Sequence, residues 1–472
     1  MESWLLVENA KVIDGTGAAA ITGCSVLIEG DRIRAVGPDV DVSVVARGVP
    51  LTRIDATGKT VIPGLIDAHC HTSFGEARTQ EEQDLYTSVE LRTLRSAWNL
   101  KKMLRAGVTG ISDPGGSFYI AVGLREAIRE GLVEGPRMAA SGRFLTTSNG
   151  LSDFYPTTVG VPESSIGMLT NTPDEMRQAV RLQVKNGVDH IKLADSPYGD
   201  YEAFRPDEVK MIAEIAHGLN RKVTIHARGS ANVDTAIAAE IDWIMHGNQM
   251  TDDVIARLAE SKIPLCPTLA LIANMADWGG LVGVPTSKRD TYKRIMERTA
   301  VTLHKAHEAG VILITGTDSG FAVTPYGEWH ARELELLVTY AGLTPLEAIR
   351  AATSDAAVTV GLAGELGIIA SGALADMVIV DGDPLADIRI LQDRSRIQTV
   401  IKGGVVVKFD DTDEDERHPY NRAMTIATGD LTYALVHGGA ESAAIESIPM
   451  TLDEGKTLAS GIFAAKATAR ID

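Results

Sequence analysis

Alternating apolar and polar residues mark both ends of the chain. This period of two is typical of a half-buried β-strand, and the segments that show it are LLVENAKVIDGTG from Leu5, SVLIEGDRIRAVG from Ser25, GALADMVIVDGDP from Gly372 and TVIKGGVVV from Thr399. The pair Gly30-Asp31 inside the second of these segments indicates a hairpin. Because a few short strands must share one core, the pattern predicts a small β-sandwich domain built from residues 1–62 and 363–410.

Between residues 63 and 362 the pattern changes to an apolar strand, a loop and a helix, repeated eight times. The predicted strands are GLIDAHCH from Gly64, VTGISDPGG from Val108, PRMAASGRF from Pro136, VDHIKLA from Val188, KVTIHA from Lys222, DWIMHG from Asp242, IPLCPTL from Ile263 and VILITGTDSG from Val311. Helical segments show a 3.6-residue period, as where Val209, Ile212, Ala213 and Ala216 share one face. Eight such units in series predict an α/β fold, a closed (β/α)8 TIM barrel.

The composition supports a folded protein with a large core and limits its partners. The 472 residues are 44% hydrophobic and 23% charged, and a net charge of −18 disfavours nucleic acid and anionic membranes, which would repel the chain. A small-molecule substrate is therefore expected. Three widely spaced cysteines fit a reducing compartment better than a disulfide framework. With no secretory signal pattern and no run of 18 apolar residues, the sequence predicts a cytoplasmic location.

Residues 411–472 form a predicted C-terminal extension. The acidic run DDTDEDE near its start lacks the spacing of a calcium-binding loop and is typical of a solvated segment. GKTLASGIFAAKA from Gly455 has the character of a docking helix or of a contact between subunits. We expect the protein to be a homo-oligomer.

Candidate metal ligands occur at the ends of the predicted barrel strands. His69 and His71 are one residue apart on a strand, so their side chains project from the same face, and neutral imidazoles bind divalent metals such as zinc. Because the carboxyl ends of barrel strands meet at one mouth, polar residues at those ends converge although they are remote in sequence. The residues placed this way are His69, His71, Lys192, His226, His246 and Asp318.

These motifs together resemble the amidohydrolase superfamily, in the branch that includes imidazolonepropionase-like enzymes, Xaa-Pro dipeptidases and ochratoxin-degrading amidohydrolases. The resemblance covers about residues 1–410. The segments that carry it are VIPGLIDAHCH, GVTGISDPGG, GPRMAASGR, HIKLA, IHARG, MHG, GTDSG and ELELLVTYAGLTPLEAIRAAT. It implies a barrel enzyme that uses divalent metal to hydrolyse carbon–nitrogen bonds.

The resemblance also implies a role for each ligand. His69 and His71 would bind the more buried metal, and His226 with His246 would hold a second. Lys192 would bridge the two ions after carboxylation by carbon dioxide, which reacts only with an unprotonated amine. The metal would be zinc, or cobalt, manganese or nickel in its place. A single-ion site with Lys192 uncarboxylated is the alternative.

The expected catalytic residues are Asp318, His246 and Arg228. A bound divalent ion lowers the pKa of water to about 7, and the resulting hydroxide would attack the substrate carbonyl. By resemblance, Asp318 would bind metal, take the remaining proton and pass it to the leaving nitrogen, while His246 holds the second ion. Arg228 lies two residues beyond His226 on the same strand face and is a candidate donor to the oxyanion.

Four residues are candidate substrate contacts, and they lie at or near departures from the family pattern. HARG stands where HAHG is common, so Arg228 replaces a histidine and could grip a substrate carboxylate or carbonyl; an outward salt-bridging arginine is the alternative. Leu151 in SNGLSDF stands where a histidine is usual. Met245 also departs from the pattern, where glutamate is usual, but this change is expected to alter packing and not substrate binding. Tyr198 in ADSPYG and His330 in YGEWHAREL lie on loops that face the predicted mouth.

The predicted function is hydrolysis of a small amide, of the dipeptide or N-acyl amino acid type. Carbamates and ureas, including aryl xenobiotics, are the alternative substrates. A non-catalytic assembly protein on the same fold is disfavoured, because such proteins lose the metal ligands and this chain keeps all six.

Overall fold

The computed structural model describes residues 3–77, 79–327 and 329–409, and only the backbone of residues 281 and 282. The predicted extension 411–472 lies outside the described residues. The strands are β1 (Trp4–Val12), β2 (Ile21–Glu29), β3 (Arg32–Gly37), β4 (Leu51–Asp55), β5 (Thr60–Pro63), β6 (Leu65–Asp67), β7 (Val108–Asp113), β8 (Arg137–Ala140), β9 (Phe144–Thr146), β10 (Gly167–Leu169), β11 (His190–Ala194), β12 (Lys222–Gly229), β13 (Trp243–Gln249), β14 (Leu265–Cys266), β15 (Met377–Val380), β16 (Ile397–Lys402) and β17 (Val405–Val406).

The α-helices alternate with the central strands. They are α1 (Gln80–Asp84), α2 (Val89–Arg105), α3 (Ile120–Arg129), α4 (Pro173–Lys185), α5 (Pro206–Gly218), α6 (Ser230–Ala238), α7 (Asp252–Ser261), α8 (Leu269–Trp278), α9 (Thr286–Glu308), α10 (Arg332–Leu336) and α11 (Pro345–Ala351). The predicted apolar face of α5 is confirmed, since Val209, Ile212, Ala213 and Ala216 are its buried residues. None of the helices in the described ranges has the length and apolar character needed to cross a membrane.

Strands from both ends of the chain form one sheet. Its order is β17-β16-β15-β5-β1-β2-β3, with β4 also paired to β1. The predicted hairpin is confirmed, because Glu29 lies opposite Arg32 across the turn. The strands form one hydrogen-bonded path, and the packing of this sheet as a β-sandwich stays a prediction. The path is continuous because β1 is long: it pairs with β4 along its first half and with β5 at its end, past an irregularity at Asn9.

The central region contains two parallel sheets. One has the order β6-β7-β8 and the other β10-β9-β11-β12-β13-β14. The first seven predicted strand segments each contain a strand. The sheets meet where the Asp189 N–H, just before β11, donates to the Ala140 carbonyl of β8 at 2.8 Å. Parallel strands have their carboxyl ends at one edge, which is where the candidate ligands lie.

The predicted eighth strand is not a regular strand. Within residues 311–318, the pairing with β14 is a single bridge between Leu265 and Leu313. The segment nevertheless lies beside β6, because the Ala68 N–H donates to the Thr315 carbonyl at 2.9 Å. It therefore spans the gap between β14 and β6 without a continuous ladder.

The C-terminal end of α11 explains why that ladder is interrupted. The carbonyls of Ala351 and Ala352 accept the N–H groups of Thr315 and Ile66, at 3.2 and 2.8 Å. These two N–H groups are the ones that a regular pairing would use. The last carbonyls of a helix have no partner within the helix, so this arrangement satisfies both the helix end and the strand edge.

A buried ion pair joins the central region to the end sheet. The Arg137 guanidinium on β8 binds the Asp376 carboxylate with two hydrogen bonds of 3.0 and 2.9 Å, and that carboxylate also accepts the Gly403 N–H at 2.7 Å. Asp376 is fully buried and the Arg137 side chain is one-quarter exposed.

We expect the Asp376→Ala variant to lower the free energy of unfolding by about 2–3 kcal/mol. This loss is smaller than the one expected on breaking a wholly buried ion pair, because Arg137 reaches solvent. Urea unfolding measures this. The matched control is Asp174→Ala, which removes a surface pair with Arg177 and should cost less than about 1 kcal/mol. Equal losses of unfolding free energy in the two variants would contradict the stabilising role of the Arg137–Asp376 ion pair.

Candidate metal centre

Three buried side chains converge at the edge where β6 ends. His69 Nε2 lies 3.1 Å from His71 Nε2, and Asp318 Oδ1 lies 3.3 and 3.2 Å from these two nitrogens. The Asp318 N–H donates to the His69 carbonyl at 2.7 Å, which brings the two segments together although they are remote in sequence. The backbone of Asp318 has a positive φ of 57°, a strained conformation of the kind found at functional sites.

The hydrogen bonds of the two imidazoles place a hydrogen on each Nδ1, so that in the neutral form of each ring Nε2 carries the lone pair. His71 Nδ1 donates to the Gly115 carbonyl at 2.5 Å. Thr268 Oγ1 donates its own hydrogen to the Cys266 carbonyl, so it accepts from His69 Nδ1 at 3.1 Å. Burial lowers the pKa of His69 well below its usual value. Two lone pairs and a carboxylate oxygen therefore face one another, an arrangement that a cation stabilises.

The spacing of these three atoms fits a divalent metal. Zinc–nitrogen and zinc–oxygen distances near 2.0–2.1 Å in a tetrahedron place neighbouring ligand atoms about 3.3 Å apart. The observed separations are 3.1, 3.2 and 3.3 Å. His69, His71 and Asp318 therefore have the donor chemistry and the spacing that a zinc-like ion requires.

The other two predicted histidines lie beside this cluster. The ring of His246 is 5.2 Å from that of His69, and the ring of His226 is 4.3 Å from that of His246. Both are buried, and His226 Nε2 and His246 Nδ1 have no hydrogen-bond partner among the described residues. Burial, followed by the Arg228 charge, lowers the pKa of each histidine. They are neutral imidazoles with nitrogen atoms available to a ligand.

Lys192 is buried on β11 next to these histidines. Its amine contacts the Met245 sulfur, and burial lowers the pKa of Lys192 to about 7. A substantial fraction of the amine is therefore unprotonated at neutral pH, which is the form that carboxylation needs. The carboxylation of Lys192 stays a prediction.

Arg228 lies at the same mouth, where its Nη1 donates to Asn248. It interacts electrostatically with Asp318, Tyr292 and Tyr198. The structure thus favours the inward position over an outward salt bridge. Tyr292 was missed by the sequence reasoning, because a tyrosine on the long helix α9 carries no motif.

The remaining predicted substrate contacts have different surroundings. Tyr198 is 65% exposed, and Leu151 is partly buried against a cluster of aromatic and aliphatic side chains. Both ring nitrogens of His330 are already engaged: Nδ1 lies 2.6 Å from Asp67 Oδ2, and Nε2 accepts the Gly327 N–H at 3.0 Å. This leaves neither nitrogen for a substrate and gives His330 a positioning role, contrary to the contact predicted for it.

Asp67 is a second residue that the sequence reasoning missed. Its Oδ1 accepts the N–H groups of His69 and Thr317, and its Oδ2 accepts the Thr317 hydroxyl. Asp67 thereby ties the histidine pair to the segment that carries Asp318. Its position two residues before His69, on the same strand face, was a signal that could have identified it.

Parallel α/β sheets with imidazoles and a carboxylate at the strand ends are the arrangement of metal-assisted hydrolases. The comparison with protein families agrees: the amidohydrolase family matches residues 60–407. The chain belongs to the amidohydrolase family. The resemblance predicted from the motifs is confirmed, and the chain is a hydrolase that acts on carbon–nitrogen bonds.

Three relatives illustrate this membership. The chain is 28% identical to ochratoxinase of Aspergillus niger over 460 residues, which covers 88% of this chain and 89% of that one. It is 26% identical to imidazolonepropionase of Geobacillus kaustophilus over 427 residues, covering 82% and 90%. The crystal structure of a prolidase complexed with N-methylphosphonate-L-proline superposes with a TM-score of 0.77 at 28% identity, covering 86% of this chain and all of that one.

Proposed function

We propose that this protein is a metal-dependent amidohydrolase that cleaves small amides bearing a free carboxylate, of the N-acyl amino acid or dipeptide type. The observation that carries the proposal is the meeting of three metal-ligand atoms with the Arg228 guanidinium at one strand edge. The ligands supply a place for the reaction, and the guanidinium supplies a place for the carboxylate.

The proposed architecture is one closed barrel with a second domain. The barrel comprises residues 63–362, and the second domain comprises residues 1–62 and 363–410. Support comes from the two hydrogen-bond links between the parallel sheets, at Ala140 and at Thr315, and from the single sheet shared by both chain ends.

The proposed ligands form two groups. His69, His71 and Asp318 would hold one divalent ion, with zinc the best fit to their spacing. His226 and His246 would hold a second, bridged by carboxylated Lys192, or the site would hold a single ion. When bound, the metal supplies Lewis acidity that activates water and polarises the carbonyl.

Asp318 is proposed to carry the proton between water and the leaving nitrogen. Burial alone would raise the pKa of Asp318, but the nearby His69 and His71 and the Arg228 charge lower it below its usual value. The carboxylate is therefore ionised at neutral pH and able to accept a proton. Its Oδ1 forms one corner of the three-atom cluster with His69 Nε2 and His71 Nε2.

Arg228 is proposed to bind the substrate carboxylate. A planar guanidinium forms two parallel hydrogen bonds with a carboxylate, and burial strengthens such bonds. Arg228 Nε is buried and has no hydrogen-bond partner among the described residues. Tyr292 and Tyr198, both close enough to interact electrostatically with Arg228, would complete the polar end of the site.

We expect the Arg228→Ala variant to lower kcat/KM for an N-acyl amino acid by about 10- to 100-fold, chiefly through KM, because a charge-assisted hydrogen bond is lost. Steady-state kinetics with the acid and with its methyl ester measure this. The ester should be a poor substrate for the native protein and should be little affected by the variant. An exposed arginine provides the control, Arg177→Ala.

The proposal is tested as a whole by assaying the metal-loaded protein on a panel of N-acyl amino acids, dipeptides, carbamates and ureas. Turnover confined to carbamates or ureas would assign the alternative substrate class. A loss in kcat alone for Arg228→Ala would assign this residue to the oxyanion instead of the carboxylate. A protein that binds metal and hydrolyses none of the panel would contradict the proposal.

A further inference from the structure

An apolar wall lies next to the metal ligands on the side of His71. The Phe74 ring stacks on the His71 ring, with centroids 4.0 Å apart and an interplanar angle of 5°. The Phe321 ring meets Phe74 edge to face at 5.1 Å. The wall is formed by Phe74, Phe144, Leu151, Ile166, Ala194 and Phe321.

The backbone places this wall at the strand ends that form the site. Ala194 lies two residues after Lys192 on β11, so both side chains leave the same face of that strand. The Leu151 N–H donates to the Asp195 carbonyl at 3.0 Å, directly after that strand. Phe321 follows Asp318 by three residues. The wall is thus contributed by loops after several strands and is continuous with the ligands.

The members of the wall differ in exposure. Phe74, Phe144, Ile166 and Ala194 are buried, whereas Leu151 and Phe321 are only partly buried. The buried members form the base, and the two partly buried members form an edge that a bound group can cover. Covering apolar surface stabilises a complex.

The proposed function fixes which half of a substrate meets this wall, and the inference rests on that function. In an N-acyl amino acid the carboxylate is on the amine half. If Arg228 binds the carboxylate, the acyl half extends from the scissile carbonyl away from Arg228. We infer that the wall of Phe74, Leu151 and Phe321 binds the acyl group, and that the enzyme prefers N-acyl amino acids with bulky apolar acyl chains.

The same wall disfavours a free α-ammonium on the acyl half. An ammonium placed against Phe74, Leu151 and Phe321 would lose water without gaining a partner. The neighbouring carboxylate, Asp195, caps its own loop, where Oδ1 accepts the N–H groups of Ser196 and Ala203 at 2.6 and 2.5 Å. Its Oδ2 has no hydrogen-bond partner among the described residues, but it is buried out of contact with solvent. N-acyl amino acids are therefore preferred over dipeptides of equal size.

The test measures kcat/KM of the metal-loaded full-length protein on N-acetyl-, N-butanoyl- and N-hexanoyl-L-alanine. Each added methylene should raise kcat/KM by about fourfold. A matched pair follows: 4-methylpentanoyl-L-alanine differs from L-leucyl-L-alanine only in lacking the ammonium, and it should be hydrolysed at least about tenfold more efficiently. Leu151→Asp and Phe321→Ala should flatten the dependence of kcat/KM on acyl chain length.

The control is Leu182→Asp, which places the same negative charge as Leu151→Asp on an exposed leucine of α4. This variant should keep the native dependence of kcat/KM on acyl chain length. A flat chain-length dependence in the native protein, or faster cleavage of the dipeptide, overturns the acyl-binding wall and leaves the proposed amidohydrolase function standing. No turnover of any N-acyl amino acid or dipeptide overturns the proposed function and, with it, this inference. The slope is insensitive to a general loss of folded protein, so a partly misfolded variant does not imitate the expected result.

Discussion

Replacing Asp318 by asparagine is expected to lower kcat by about 10³-fold, within the range of a lost general acid–base residue. The amide has nearly the shape of the carboxylate but cannot accept a proton at neutral pH. Asp318 Oδ1 lies within 3.3 Å of both His69 and His71. If Asp318 binds the metal as proposed, its loss also removes a negative ligand, and metal affinity should fall with kcat.

Kinetics and metal content together measure this effect. The Asp318→Asn variant should unfold near the native temperature once metal is removed from both proteins, because the two side chains occupy the same volume. Asp174→Asn, on the surface of α4, serves as the control and should retain native kcat. A kcat within tenfold of native for Asp318→Asn would show that proton transfer uses another residue.

Removing the divalent metal is expected to lower the rate of hydrolysis by more than about 10³-fold. Without the metal the pKa of water is no longer lowered, so little hydroxide forms at neutral pH. Stability should fall with activity. A ligand present at 1,000 times its dissociation constant stabilises a fold by about 4 kcal/mol, so chelation should lower the unfolding temperature. Added zinc, cobalt or manganese should restore both quantities.

The number of ions separates the two versions of the site. Elemental analysis should give about two ions per chain if Lys192 bridges them and about one if it does not. Lys192→Ala should halve the content in the first case and leave it unchanged in the second. His304→Ala, an exposed histidine of α9, is the control. Chelator-insensitive hydrolysis by a protein without bound metal would contradict the metal centre itself.

Local pattern was a reliable guide to the elements and to the candidate ligands. The period of α5 identified its buried face residue by residue, and the His-x-His spacing predicted that the side chains of His69 and His71, which lie just after β6, come together. These features depend on neighbours a few positions apart. The same reasoning failed for residues 311–318, where the missing ladder follows from a helix end that arrives from residues 351 and 352.

The alternation of strands and helices, the identity of the candidate ligands and the family all follow from the sequence, because each is encoded in short motifs. The distances between those ligands depend on how the folded chain packs. The same packing places His330 against Asp67, Tyr292 close enough to interact with Arg228, and an apolar wall next to His71. Such contacts link segments up to about 260 residues apart, as His330 and Asp67 are. Chain packing determines these contacts, and no local sequence period predicts them.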